Sequence, residues 1–377
     1  MTGADAAWRD PSEVVTGWPS EVDPGLLRRR VRGPFWDLLD ELGITLLVSR
    51  EYEHLVLALS GAGGRGAITH LAVPHPSGIV FDPTHGVVHL ASTRNPNQVL
   101  ELAPVEGPGA AGAAAGTLVP VRARTLPGRL YLHDLAVVGG HLRANAVGEN
   151  SVGRIGADGY GREWWPACLD DREDAFTANH LQLNSVAAGR TLATSFFTAS
   201  TATPGRLKPG DRDFPVDGRG VVFSGRTREP LAQGLTRPHS ARLDEHRLLF
   251  VANSGYGELV EVNTRRGDQV RVARLPGWTR GLTVRSGIAF VGTSRVLPRF
   301  RQYAPGLEPD ACVCGIHAVN LHAGRVIASI VWPEGDQLFA VEALPRGFAD
   351  GLPAGAGRGA AAQRALFYDF QVKGHTT

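Results

Sequence analysis

The chain has 377 residues, 43% of them hydrophobic and 20% charged, with a formal net charge of +2. This is enough apolar material for a large core, and it excludes a chain that is disordered by composition. The basic residues are nearly all Arg and are spread rather than clustered, so the sequence carries no electrostatic footprint for nucleic acid.

Residues 1–32 are polar and broken by Pro and Gly, and read as a flexible tail without the basic-then-apolar order of a secretory signal. "FWDLLDELGI" then sets Phe35, Leu38, Leu39 and Leu42 at helical spacing, which predicts a short helix and completes an N-terminal segment of 1–42. After Gly43 the pattern turns to β-rich runs separated by Gly, Asn, Asp and Pro. One unit recurs in degraded form. It is clearest in "RPHSARLDEHRLLFVANSGYGELVEVN" at 237–263 and returns at 74–104, 131–156, 179–200 and 278–295. In the unit at 179–200 the later strands come from "GRGVVFSG" and "EPLAQGL", after a Pro/Gly-rich insertion near 203–217. "DQLFAVEAL" at 336–344 supplies a last inner strand without outer partners.

About six such units predict an all-β fold, a single closed β-propeller over 43–373. "ITLLVSREYEHLVLALSG" at 44–61 and "RALFYDFQV" at 364–372 offer strands to complete the last blade, which would remove the exposed edges of an open ring. Two low-complexity stretches, 106–117 and 351–363, read as surface loops. No apolar run approaches the ~20 residues of a membrane helix, and three cysteines cannot build a disulfide framework. The expectation is a cytoplasmic protein in a reducing compartment, with neither nucleic acid nor membrane as partner.

In such a ring the starts of the inner strands and the ends of the second strands share one face, around the channel mouth. His75, His133, His180 and His239 stand at the starts, with Trp278 and Arg280 in the fifth unit and Gln337 in the sixth. The second-strand ends add Arg94, Asn95, Asn145, Asn150, Asn253, Ser254, Ser294 and Arg295. Convergent polar side chains of this kind mark a ligand site. Imidazoles in such numbers suggest a divalent transition metal held by His133, His180 and His239, with Asp134 and Asn184 as oxygen partners. The alternative is that the histidines tie strand to loop. Counted back from the following turn, His239 aligns with Asn184, His133 lies one residue further out and His180 four, which argues against one layer. Arg295, Arg299 and Arg301 beside Tyr303 in "GTSRVLPRFRQYAPGL" could grip an anion or form a solvated face. Cys168 reads as packing. Cys312 and Cys314, two apart, would face one side of a strand but need further ligands for a metal.

The motifs "ASTRNPNQ", "LHDLAVVGG", "ANAVGEN", "TRPHSARL", "NSGYGEL", "LPGWTRGL" and "VWPEGDQLFAVE" resemble an uncharacterised bacterial family of conserved hypothetical proteins over roughly 35–345. The resemblance implies a propeller-like body and no established activity. Two functional readings follow from the residues themselves. One is a lyase or hydrolase, with or without a metal, acting on a small molecule or modified peptide. In that reading His133, Asp134, His239 and Arg280 do the chemistry, and Asn145, Asn184, Asn253, Arg295, Arg299 and Tyr303 hold the substrate. The other is a propeller whose polar ring only recognises a peptide or protein. A deep funnel favours the first and a flat face the second.

Overall fold

Apolar runs of five to seven residues recur along the chain, and several are buried on both faces for their whole length, as in Ile44–Arg50, Leu249–Asn253 and Ile288–Ser294. A strand of that kind must have another sheet over each face. Outer strands such as Gln269–Arg274 are mostly exposed. A computed structural model, which describes residues 22–93, 97–105 and 116–355, resolves this pattern into six antiparallel sheets arranged as the blades of a propeller.

Blades B to F run in chain order. Their inner strands are Pro76–Asp82, Leu132–Val138, Leu183–Ala187, Pro238–Leu243 and Trp278–Arg285. Blade A closes the ring. Its inner strand is Ala340–Pro345, which pairs with Ile44–Arg50, followed outward by Leu55–Ala62 and Arg65–Ala72. Segments from the N-terminal and C-terminal parts of the described residues, 44–72 and 340–355, therefore share one sheet. The strand expected at 364–372 lies outside the described residues, as do most of the two low-complexity loops. At the edge of blade A, Ala354 and Gly355 pair with His70 and Thr69.

Two features depart from expectation. Residues 22–32, read as tail, are built into the ring. Arg30–Arg32 adds a fifth strand to blade F, and the fully buried Arg50 donates to the carbonyls of Leu26 at 2.6 Å and Glu334 at 2.8 Å. The helix Phe35–Glu41 follows as predicted and buries Phe35 and Leu39 in the core shared by blades A and F. The second departure concerns register. The inner strands of blades B to F each carry an irregularity in their pairing with the second strand, between Pro76 and Ile79, opposite Ala144–Ala146, and between Leu183 and Ser185, His239 and Arg242, and Thr279 and Leu282. Bulges of this kind re-aim side chains and cannot be seen by counting from the turn.

At every seam one polar side chain reaches the backbone at or just before the inner strand of the next blade. The acceptors are Ser77 O from Ser49 Oγ (2.7 Å), Leu132 O from Ser77 Oγ (3.0 Å), Leu183 O from Asn145 Nδ2 (2.5 Å), Pro238 O from Asn184 Nδ2 (2.9 Å), Thr279 O from Ser254 Oγ (2.6 Å) and Leu338 O from Ser294 Oγ (3.1 Å). Among the described residues no helix is long and apolar enough to cross a membrane.

Close packing at the axis makes one test direct. Gly281 sits in the bulge of blade F at φ +78°, and a Cβ there would lie 2.9–3.0 Å from Val341 Cγ2, Val341 N and Ala340 C of blade A. Gly281→Ala should therefore lower the unfolding free energy by about 1–3 kcal/mol through strain at that position, measured by denaturant unfolding. An unchanged midpoint would contradict this seam.

Candidate functional site

The seam bonds define which residues are equivalent. Five of the six accepting carbonyls belong to the residue directly before His133, Asn184, His239, Arg280 and Phe339. These five side chains therefore occupy one layer of the funnel. The turn-counted offset between His133 and His239 arises because the strands run on unequally beyond the bulge, so the bulge is the proper reference. Two residues earlier stands a second layer, made of Tyr131, Gln182, Arg237, Trp278 and Gln337. Tyr131, Gln182 and Arg237 have φ of 51°, 51° and 53°. Left-handed backbone at non-glycine residues is uncommon and tends to mark functional positions.

Together these layers line a cavity of about 220 Å³ on the face where the inner strands begin, bounded by Tyr131, His133, Asn184, Arg237, His239 and Arg280 among others. Its walls include Tyr303 and Phe300 from the loop between the second and third strands of blade F, Ile288–Ser294 and Cys314–Asn320, and Gly210 from the insertion in blade D. Phe214 and Val216 of that insertion pack on Trp278, Val296 and Tyr303, which fixes the wall in place. The lining side chains are buried: His133 is 1% exposed, Asn184 2%, Arg237 6% and Arg280 8%.

The charged side chains lining the cavity are Arg237, Arg280 and Glu51, and Glu51 accepts from Thr93 Oγ1 at 3.2 Å. Arg237 donates to Gln182 Oε1 at 2.6 Å and Pro209 O at 3.1 Å and stacks 3.9 Å over the Tyr303 ring. Arg280 donates to Gln337 Oε1 at 3.2 Å and lies over Phe339 and Trp278 at 4.4 and 4.8 Å. Neither arginine has a carboxylate partner among the described residues. Burial, with Arg280 adding to it, lowers the Arg237 guanidinium to about 10. Burial first, and then the two arginines, push the His133 imidazole well below its ordinary value, with Asn184 pulling weakly the other way. Burial and Arg280 do the same to His239. Both rings are therefore neutral at physiological pH. His239 is engaged on both sides, by Ser240 Oγ at 2.8 Å and Arg280 Nη2 at 3.5 Å. His133 packs edge-on to Phe339 and Tyr131, 5.6 Å between ring centroids from His239; Asn184 lies near enough to favour its protonated form, but neither ring nitrogen makes a hydrogen bond of good geometry.

Several expected site residues lie elsewhere. Asp134 points below the ring, where it accepts from Arg242 at 2.8 and 3.0 Å and from Val186 N at 3.1 Å. It cannot serve as a catalytic acid or base in the cavity. As a buried ion pair it holds blades C, D and E, and removing one partner of such a pair typically costs about 3–5 kcal/mol. His180 does not join a metal cluster, because its Nε2 bonds Asp174 O at 3.0 Å away from the cavity. Among the described residues no group of three or more His, Cys, Asp or Glu is placed to hold a metal ion. The polar ends of the second strands turn sideways into the seams. Asn145 joins Leu183 O and Asp134 N, Asn150 joins Ala175 O, Ala178 O and His180 N, and Asn253 joins Thr236 N and Glu258. Asn145 and Asn253 are thus scaffold rather than substrate contacts. Ser254 does border the cavity. Arg295 donates to Pro333 O at 2.6 Å, and Arg299 stacks behind the wall on Tyr52 and Phe300 at 5.0 and 4.9 Å. His75 is outside this cavity, beside His54, and Arg94 and Asn95 are outside the described residues. Cys312 and Cys314 sit in separate apolar clusters. Burial raises the Cys314 thiol to about 12, and all three cysteines are free.

The sequence matches, over residues 33–349, the family described as a domain of unknown function, DUF4915. The chain belongs to this family. No curated protein matches it in sequence. Solved structures of similar shape include the nidogen/laminin complex, with a TM-score of 0.55 at 12% identity, covering 81% of this chain and 99% of that one. A candidate 6-phosphogluconolactonase from Bacteroides uniformis gives 0.48 at 13%, covering 80% and 99%. A protein of unknown function from Bacteroides caccae gives 0.49 at 8%, with the same coverage. At these identities the likeness extends to the propeller fold alone, and it leaves the chemistry of this DUF4915 member to its own cavity.

The depressed imidazoles have a stability consequence. Below the ordinary value near 6.5 the unfolded chain takes up protons that native His133 refuses, so stability is lost as pH falls. The limiting slope is about 1.4 kcal/mol per pH unit for each such histidine. Melting temperature should drop between about pH 7 and pH 5, and His133→Phe should drop less steeply; parallel curves would show that His133 titrates normally in the fold.

Proposed function

We propose that this DUF4915 protein binds a small anionic molecule in the cavity between its two side-chain layers. The observation that carries the reading is the pair of buried guanidiniums, Arg237 and Arg280, which face one cavity without a carboxylate partner, while the one carboxylate of the lining, Glu51, accepts from Thr93 and is outnumbered by them. Burying a charge unpaired is costly, and a ligand anion would relieve that cost. Guanidinium presents a planar fork of donors suited to carboxylate or phosphate. At about 220 Å³ the cavity is smaller than the ~300–1,000 Å³ usual for drug-sized ligands, which supports a metabolite over a peptide. Lower in the funnel the opposite arrangement holds: Arg242 and Arg285 lie near Asp134 and Glu342, so the charges there are already matched. A cation would meet two like charges, so the reading does not include a transition metal held by His133 and His239.

One observation favours a catalytic version. His133, neutral and unpartnered beside the proposed anion site, is suited to accept a proton from a bound substrate, as a general base does in a lyase or hydrolase. A cytoplasmic setting belongs to the same reading, since the three thiols are free.

Titration calorimetry with small carboxylates and with inorganic phosphate tests the proposal. The wild type should bind at least one of them, and Arg280→Gln should weaken that binding at least tenfold, equivalent to about 1.4 kcal/mol. Failure of every small anion to bind, or equal binding by Arg280→Gln, would overturn it.

A further inference from the structure

The buried polar atoms without partners are not scattered at random. Five of them belong to four residues lining this one cavity: His133 Nδ1 and Nε2, Asn184 Oδ1, Trp278 Nε1 and Arg280 Nε. Each of these residues is more than nine-tenths buried. An unpaired buried polar atom carries a desolvation penalty of about 1–3 kcal/mol, so a cluster of them describes in outline the ligand that would satisfy them.

The set has two parts. Trp278 Nε1–H and Arg280 Nε–H can only donate, and with Arg237 they suit the oxygens of an anionic head. Asn184 is different. Its Nδ2 is already committed to Pro238 O at 2.9 Å, so what it turns to the cavity is an oxygen, which can only accept. A carboxylate or a fully ionised phosphate group offers acceptors alone and would leave that oxygen unpaired. The ligand must therefore also bring a donor. An ammonium group is disfavoured because the two guanidiniums outnumber the one lining carboxylate, Glu51, and an amide N–H donates without accepting. A hydroxyl does both, and so fits between Asn184 Oδ1, which needs a donor, and a neutral His133 ring, which presents one N–H and one lone pair. The reach is short: the His133 and His239 rings are 5.6 Å apart, and His239 Nε2 lies 3.5 Å from Arg280 Nη2. Hydroxyl and anionic head should accordingly be separated by few bonds.

We infer that the cavity selects a compact hydroxylated anion, its anionic head on Arg237, Arg280 and Trp278 and a nearby hydroxyl shared by Asn184 and His133. This rests on the anion reading above and adds the hydroxyl as the determinant of specificity. The ring faces of Tyr131, Trp278 and Phe300 in the wall would cover the carbon skeleton.

Matched probes separate the two claims. Lactate, propionate and alanine share one skeleton and differ in hydroxyl, hydrogen and ammonium; glycerol phosphate and propyl phosphate repeat the comparison for the other kind of head. In calorimetry on the full chain, the hydroxylated member of whichever series binds should exceed its deoxy partner at least tenfold, and lactate should exceed alanine. His133→Phe, which keeps the ring contacts, should reduce that preference to less than threefold. Arg280→Gln should weaken both members together. Equal binding of hydroxylated and deoxy anions to the wild type would overturn the inference while leaving the anion site intact, and this comparison does not depend on any variant folding. A preference that survives in a folded His133→Phe protein would also overturn it. Absence of binding by all five probes would instead remove the anion reading on which it rests.

Discussion

A carbonyl near the start of each inner strand is held by a side chain of the preceding blade, and the site depends on that contact. Ser49, Ser77, Asn145, Asn184, Ser254 and Ser294 make the six bonds. Each fixes the backbone at or one residue before the position that looks into the funnel. The bulge that follows then sets which way the side chain turns. A propeller built on strand pairing alone would leave its inner strands free to slide relative to one another. Here the seams pin them, and His133, Asn184, His239 and Arg280 reach the same depth although their strands differ in length and in the turns that follow.

Given that frame, the distribution of charge decides what the funnel can do. Below the ring the ion pair between Asp134 and Arg242 spans blades C and E, so charge there is balanced within the fold. Above it Arg237 and Arg280 rely on aromatic faces and on amide oxygens of Gln182 and Gln337. Cation–π stacking and neutral acceptors hold a guanidinium in place without neutralising it. The field they leave also accounts for the histidines, since two nearby cations and burial both oppose a protonated ring. Neutral imidazoles and fixed cations are thus consequences of one choice: in this layer the inner strands bring Arg, His and Asn and no acid, and the one lining carboxylate, Glu51, comes from the end of the Ile44–Arg50 strand.

Much of this was legible in the sequence, because repeats report a propeller directly and each unit marks its inner strand. The helix at Phe35–Glu41, the sharing of one blade by N-terminal and C-terminal segments, and the presence of His133, Asn184, His239, Arg280 and Tyr303 in one concavity all follow from that pattern. What failed to transfer was direction. Second-strand ends such as Asn145 and Asn253 carry the polarity expected of a funnel, yet a polar group at a seam is equally satisfied by the backbone of the next blade. Asp134 follows His133 in the bulge, and adjacent residues point apart. The chain from 22 to 32 lacks an alternating pattern because Arg30–Arg32 is an exposed edge strand, which demands no apolar face. Arg237 was the most recoverable omission. Two residues ahead of His239, it holds the place of Tyr131 before His133, Gln182 before Asn184 and Trp278 before Arg280, a spacing that one strand face imposes.

The central claim is that the space enclosed by Arg237, Arg280, His133 and Asn184 is an anion site. Diffraction from crystals equilibrated with selenate tests it most directly, since the anomalous signal of selenium locates the ion without reference to any assumed ligand. The account predicts a peak in the cavity within hydrogen-bonding reach of both guanidiniums, absent in Arg280→Gln crystals treated the same way. A cavity without anomalous density at selenate concentrations that populate other sites, or an unchanged peak in the variant, would contradict it.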